Sequence, residues 1–239
     1  VAVSAPILVA TGTRREAATL TQSGFLIIPG GGDPIGLRAK LTEAAKDARG
    51  IMSFGFAGAL DDTLRLGDWV IGDRLAGSIK TICDPAWAAA LAAQLPGARI
   101  GTIYADGRLI SSVPEKLALG EQHRALAVDM ESHIAAEVAS ECGLPFAIIR
   151  CISDEARHVL PPAITVAMLP DGSVNGGAML GSVLTQPGQL PALVTTIRGF
   201  LSAMAALKRG SAHLLPPPPE EDSFKPPAAP FYPRSGSRP

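Results

Sequence analysis

Two carboxylates stand out by their placement. Glu131 lies near the start of residues 128–156, VDMESHIAAEVASECGLPFAIIRCISDEA, and Asp154 near the end. The segment reads as a helix, a stop and a strand. Ile134 and Val138 share a helical face, Gly143 suits the position after a helix, and Pro145 prevents continuation. Residues 146–152 are nearly unbroken in apolar character, the pattern of a strand buried on both faces. Ligands of α/β sheets sit beyond the carboxyl ends of such strands, and Asp154 lies there. An acid at a helix start and another at a strand end can face one pocket. Two carboxyls in different surroundings can divide acid and charge-stabilising roles.

The elements that must position this pair alternate along the chain. Residues 6–10 form a buried strand closed by Gly12, and Thr13-Arg14-Arg15-Glu16 opens a helix. Backbone at such a turn allows close ligand approach and favours anions. Residues 25–29 form a second strand, and the triplet Gly30-Gly31-Gly32 precedes a helix at 37–46. The triplet has neither the dinucleotide spacing nor the Lys-Ser/Thr ending of a P-loop. Residues 50–58, GIMSFGFAG, make a third strand whose glycines leave backbone open at its carboxyl end. A strand starts at 68–72, a helix covers 85–95, a strand 98–104, and a helix begins near Pro114. Residues 155–175 read as a loop, followed by helices at 179–184 and 190–208. This alternation predicts a three-layer α/β/α sandwich with a mixed central sheet. Residues 1–210 form one domain, and 211–239 a flexible Pro-rich tail that holds Pro216 to Pro219 and further Pro-containing clusters.

Composition narrows the function. Hydrophobic residues make up 47% of 239 and charged residues 18%, which suits a single globular core. A net charge of −1 gives no basic surface for nucleic acid. Cys83, Cys142 and Cys151 have no metal-ligand spacing and read as buried thiols in a reducing compartment. The apolar start lacks a basic leading region, so it reads as a strand rather than a signal peptide. No apolar run reads as long enough to span a bilayer. A cytoplasmic protein without metal, organic cofactor or stable membrane insertion is expected.

Several motifs together resemble the superfamily of purine nucleoside phosphorylases and methylthioadenosine/adenosylhomocysteine nucleosidases. VDMES with RCISDEA resembles its V-E-M-E…R-x-I-S-D signature. SFGFAGAL with LRLGDWVIGD resembles its glycine-rich strand and following element, and ILVATGTRREA its first strand and turn. The similarity spans about residues 6–208. The short form and DGSVNGGAML are most like the hopanoid-associated phosphorylase branch.

The resemblance implies a phosphorylase/hydrolase-like fold and cleavage of a purine N-glycosidic bond. Asp154 takes the place of the acid that protonates N7 of the base, with burial expected to raise its pKa. Glu131 and Met130 take the places of ribose-binding residues. Gly55, Phe56, Ala57, Gly58, Arg108, Leu109 and Ser153 are expected to line the base. Glu16 matches the glutamate that activates water in the nucleosidases. Arg14, Arg15, Gly12, Gly31 and Gly32 are expected to bind inorganic phosphate as co-substrate. Ser53 stands where the phosphorylases carry a phosphate-binding arginine, Phe56 where a serine is frequent, and Arg108 where nucleosidases stack a phenylalanine. Asp129 and Arg150 read as structural. The expected reaction is phosphorolysis of adenosylhopane, releasing adenine in hopanoid synthesis, with residues 159–169 as an apolar mouth. Alternatives are a hydrolytic nucleosidase and a non-catalytic nucleoside-binding scaffold. Homo-oligomers are implied, and the tail's partner is left open.

Overall fold

The computed structural model describes residues 5–167 and 175–217. In β1 (Ile7–Thr11), Leu8 and Ala10 pack into one hydrophobic core while Ile7 and Val9 pack into another. The same alternation holds in β3 (Gly50–Ala59), with Ile51 against Met52 and Phe54. In β8 (Phe146–Asp154), Phe146, Ile148 and Ile152 oppose Ala147, Ile149 and Cys151. Side chains of a strand alternate between faces, so both faces of the sheet are covered. Helices α2 (Pro34–Ala44) and α5 (Ser132–Cys142) supply one cover, and α3 (Pro85–Gln94) and α8 (Leu190–Ser211) the other. This is the three-layer arrangement the alternating pattern predicts.

The sheet is mixed and partly closed. Its order is β2 (Phe25–Pro29), β1, β3, β7 (Ala125–Asp129), β6 (Arg99–Ala105), β4 (Trp69–Gly77) and β5 (Thr81–Ile82). Strand β8 pairs with β3 in parallel and with β4 antiparallel. Thus β3, β8, β4, β6 and β7 form a ring, and β1 and β2 extend it from β3. Register fixes the functional edge. Gly55 pairs with Arg150, Gly58 with both Asp154 and Val128, and Ala105 with Asp129. The carboxyl ends of β3, β6, β7 and β8 therefore meet.

Five expectations change. Residues 125–129 form strand β7, and the helix begins only at Ser132, so the VDMES motif is split between them. Within the expected 155–175 loop, α6 spans Pro162–Ala167, and residues 168–174 lie outside the described residues. Helix α8 ends at Ser211, which is buried, as is Leu214, so the tail's first residues pack on the domain. The rest of that tail, 218–239, lies outside the described residues. Cys142 is exposed at the end of α5, while Cys83 and Cys151 are buried. One stretch, Pro187–Ser211, is long and apolar enough to cross a bilayer by length and composition, where the sequence reading found none.

Candidate active site

The first turn is built around a carboxylate. Thr13 caps α1 (Arg14–Ala17) and accepts a hydrogen bond from Glu16 N at 3.2 Å. Glu16 Oε2 accepts in return from Thr13 N at 2.6 Å, completing a capping box. Its second oxygen accepts from Phe56 N at 2.7 Å. The capping geometry therefore turns Glu16 inward onto β3. Burial pushes its carboxyl above the usual range, although the Phe56 N–H and the Arg150 charge oppose the shift. A side chain at Gly55 would collide with Glu16, and the φ of +151° there is one that side chains rarely adopt.

Glu131 reaches the same place from the other side. Val128 lies opposite Gly58, and the antiparallel chain leads back along β3 towards Gly55. A Cβ at Gly12 would lie 3.0 Å from Glu131 Oε1. Withdrawal from water, then repulsion by Asp129 and Glu16, push the Glu131 carboxyl up to about 8. An ordinary glutamate is fully ionised near neutral pH. Glu131 instead holds a proton there until donors arrive to replace it. Sugar hydroxyls donating to it would favour the charged form, so nucleoside binding at pH 7 is expected to release up to about one proton. Calorimetry in buffers of different ionisation enthalpy measures this; proton uptake would contradict the assignment.

A buried ion network holds the two acids from beneath. Arg150, 1% exposed, donates from Nε to Asp129 at 2.9 Å and from Nη2 to Ser53 at 2.6 Å and Ser132 at 2.9 Å. Asp129 Oδ1 caps α5 by accepting from the backbone N–H groups of Glu131 and Ser132. Burial alone would raise the Asp129 carboxyl, but Arg150 overrides it and holds the group below the usual range. Asp129 and Arg150 are structural, as expected. Ser53 lies fully buried behind the site, engaged by Arg150 and Ser132.

Asp154 stands at the far end of the same strand pair. A Cβ at Gly58 would lie 3.0 Å from its Oδ2. Gly58 is three steps beyond Gly55 on β3, about 10 Å along a strand, a span that suits a sugar and a base side by side. Ser153, expected against the base, serves Asp154 instead. Its hydroxyl lies 2.9 Å from Asp154 Oδ1 and 3.3 Å from the Ala57 carbonyl. The other carboxyl oxygen is hydrogen-bonded by Lys116 of α4 (Val113–His123), a residue the sequence reading passed over. Lys116 is fully buried and also reaches the Glu155 carbonyl at 3.3 Å. Only its position on the face shared with buried Leu119 signalled an inward ammonium.

The remaining expected residues divide. Phe56 is half-buried and packs against Phe200 of α8 at 5.4 Å between ring centroids. Ala57 is buried and Met130 half-buried beside Glu131. Leu109, 44% exposed, lies in the loop that leaves β6 beside Asp129. Arg108 in that loop is held by Asp106 at 2.7 Å and Glu115 at 3.0 Å. The expected phosphate cradle is also altered. Gly31 spends its N–H on the Gly12 carbonyl at 2.9 Å, and Glu131 occupies the approach to Gly12. Gly32 is exposed at a φ of +75°. Arg14 and Arg15 are exposed and make no ion pair among the described residues.

Fold and sequence together place the chain in an enzyme superfamily. The profile of the phosphorylase superfamily matches residues 9–167, and the chain belongs to that superfamily. No curated protein matches the sequence at a significant level. Solved structures share the fold at low identity. The 5′-methylthioadenosine/S-adenosylhomocysteine nucleosidase of Neisseria meningitidis, in complex with methylthio-immucillin-A, superposes with a TM-score of 0.62 at 15% identity. That comparison covers 87% of this chain and 97% of the other. The Helicobacter pylori nucleosidase of the same name, with butyl-thio-DADMe-Immucillin-A, gives 0.58 at 16% identity, covering 87% and 98%. The futalosine hydrolase of Helicobacter pylori gives 0.56 at 17%, covering 77% and 98%.

Proposed function

We propose that the protein hydrolyses the N-glycosidic bond of an adenosyl compound, with water rather than phosphate as acceptor. The observation that carries this reading is the meeting of Glu16 and Glu131 at Gly12 and Gly55. Arg150, the cation beneath them, is engaged by Asp129. Two carboxyls without a free cation repel an anionic nucleophile but can hold and deprotonate water. The structural neighbours named as nucleosidases and a hydrolase point the same way.

The residues then take balanced roles. A water bonds to C1′ as the C1′–N9 bond breaks, and Glu16 takes the water's proton. Burial raises the Glu16 carboxyl above its usual range, which strengthens it as a base. Asp154 delivers a proton to N7, so the purine leaves neutral. Lys116 hydrogen-bonds the Asp154 carboxyl and holds it in position within the site. Glu131 accepts from the ribose hydroxyls and, once ionised, stabilises the oxocarbenium-like sugar. The products are adenine and a free sugar.

The expected substrate carries an apolar 5′ substituent, as adenosylhopane does. Support comes from the apolar residues beyond β8, among them Val159 and Val166, which are 66% and 58% exposed. Phosphorolysis is the second reading, favoured by exposed Arg14 and Arg15 beside the first turn. Adenine release in phosphate-free buffer decides between them. Equal rates with and without phosphate, and a fall of about 10²-fold or more in Glu16→Gln, are expected. A rate that requires phosphate, with a sugar phosphate as product, would overturn hydrolysis.

A further inference from the structure

Helix α8 buries one face and exposes another that is also apolar. Leu193, Ala203, Ala206 and Leu207 point into the domain. Leu190, Val194, Ile197 and Leu201 are 41–61% exposed, and their spacing of four, three and four places them on a single stripe. Helix α7 (Gly176–Thr185) adds Leu180 and Leu184, 60% and 73% exposed and one turn apart. Only 17% of the apolar window within Pro187–Ser211 is buried, so it is not a core helix.

Charge decides what covers the stripe. Residues 176–211 contain no Asp or Glu but carry Arg198, Lys208 and Arg209. A symmetric contact with a second copy would bring these cations together without carboxylates from the same helices. Arg198 lies at mid-helix, where a bilayer-spanning helix would bury a charge at high cost. A helix lying in the interfacial plane meets neither difficulty: its apolar stripe enters the acyl boundary and its cations meet lipid phosphates.

We propose that α7 and α8 dock the protein on the surface of an anionic lipid bilayer. The same helix reaches the active site, because Phe200 packs on Phe56, whose N–H binds Glu16. His158, four residues beyond Asp154, hydrogen-bonds Thr196 of α8 at 2.9 Å. Docking therefore sets one wall of the site beside the lipid. Resting on the nucleosidase reading, this deepens it: the substrate is a nucleoside drawn from the membrane by its hydrophobic 5′ group.

Sedimentation of the full chain with phosphatidylcholine vesicles, with and without phosphatidylglycerol, tests the docking without requiring activity. Binding is expected with phosphatidylglycerol and should fall as salt rises. The combined variant Val194→Ser, Ile197→Ser, Leu201→Ser should lose about tenfold or more in partition while keeping its circular dichroism spectrum. Arg198→Glu with Lys208→Glu, which leaves the stripe intact, should lose the phosphatidylglycerol-dependent part. Absence of wild-type binding, or binding by both variants at the wild-type level, overturns the proposal. So does conversion of a dimer to a monomer by the triple variant with vesicle binding unchanged, since the stripe would then belong to a second copy. Vesicle binding by a protein that cleaves no adenosyl compound would sustain the docking surface and sink the nucleosidase reading alone.

Discussion

Asp154→Asn is expected to lower adenine release by about 10³-fold or more and to change nucleoside affinity far less. The amide keeps the shape of the carboxyl and its contact with Ser153 but cannot pass a proton to N7. Lys116→Met should give a smaller loss, about 10- to 100-fold, because the acid remains and only its buried partner is gone. The comparison separates direct proton transfer from positioning. Single-turnover release and inhibitor titration on both variants supply the two measurements. Turnover by Asp154→Asn at the parental rate would remove Asp154 from the chemistry.

Arg150→Met should produce the largest loss of stability. It leaves the Asp129 carboxylate buried without its cation and deprives Ser53 and Ser132 of a donor. Breaking a buried pair on one side costs about 3–5 kcal/mol, which corresponds to a fall of roughly 10 °C in melting temperature at this size. Pairing it with Asp129→Asn should recover part of the loss, since the stranded charge is removed. Thermal unfolding of the three proteins settles the matter, and an Arg150→Met protein as stable as the parent would refute the account.

The contrast between these residues shows what was readable in the chain. Helices α3 and α5 and strands β1, β2, β3 and β8 announced themselves through apolar period and through turn residues such as Gly143 and Pro145. Strand β7 did not, because ALAVD is short and alanine-rich and runs into a true helix. Asp154, Glu131 and Glu16 were found through motif resemblance, and the strand register then explains why they share an edge. Lys116 was missed because its partner is 38 residues away and Glu115 beside it suggests a solvated face. Arg108 shows the converse: its partners Asp106 and Glu115 are near in sequence, but only the fold shows that they capture it. For the phosphate cradle, no pattern of glycines reveals that the Gly31 N–H is already spent on the Gly12 carbonyl.

Three acids in this protein each press against a residue without a side chain: Glu131 on Gly12, Glu16 on Gly55, and Asp154 on Gly58. That wall of the cleft has no methyl left to trim. Its dimensions can grow only by displacing β1 or a strand of the closed ring, which would disturb the neighbouring strands at once. The opposite rim, formed by the loop after β6 and the helices beyond β8, is under no such constraint. New substrate preferences are therefore cheapest to acquire there, while the reacting atoms stay fixed in place.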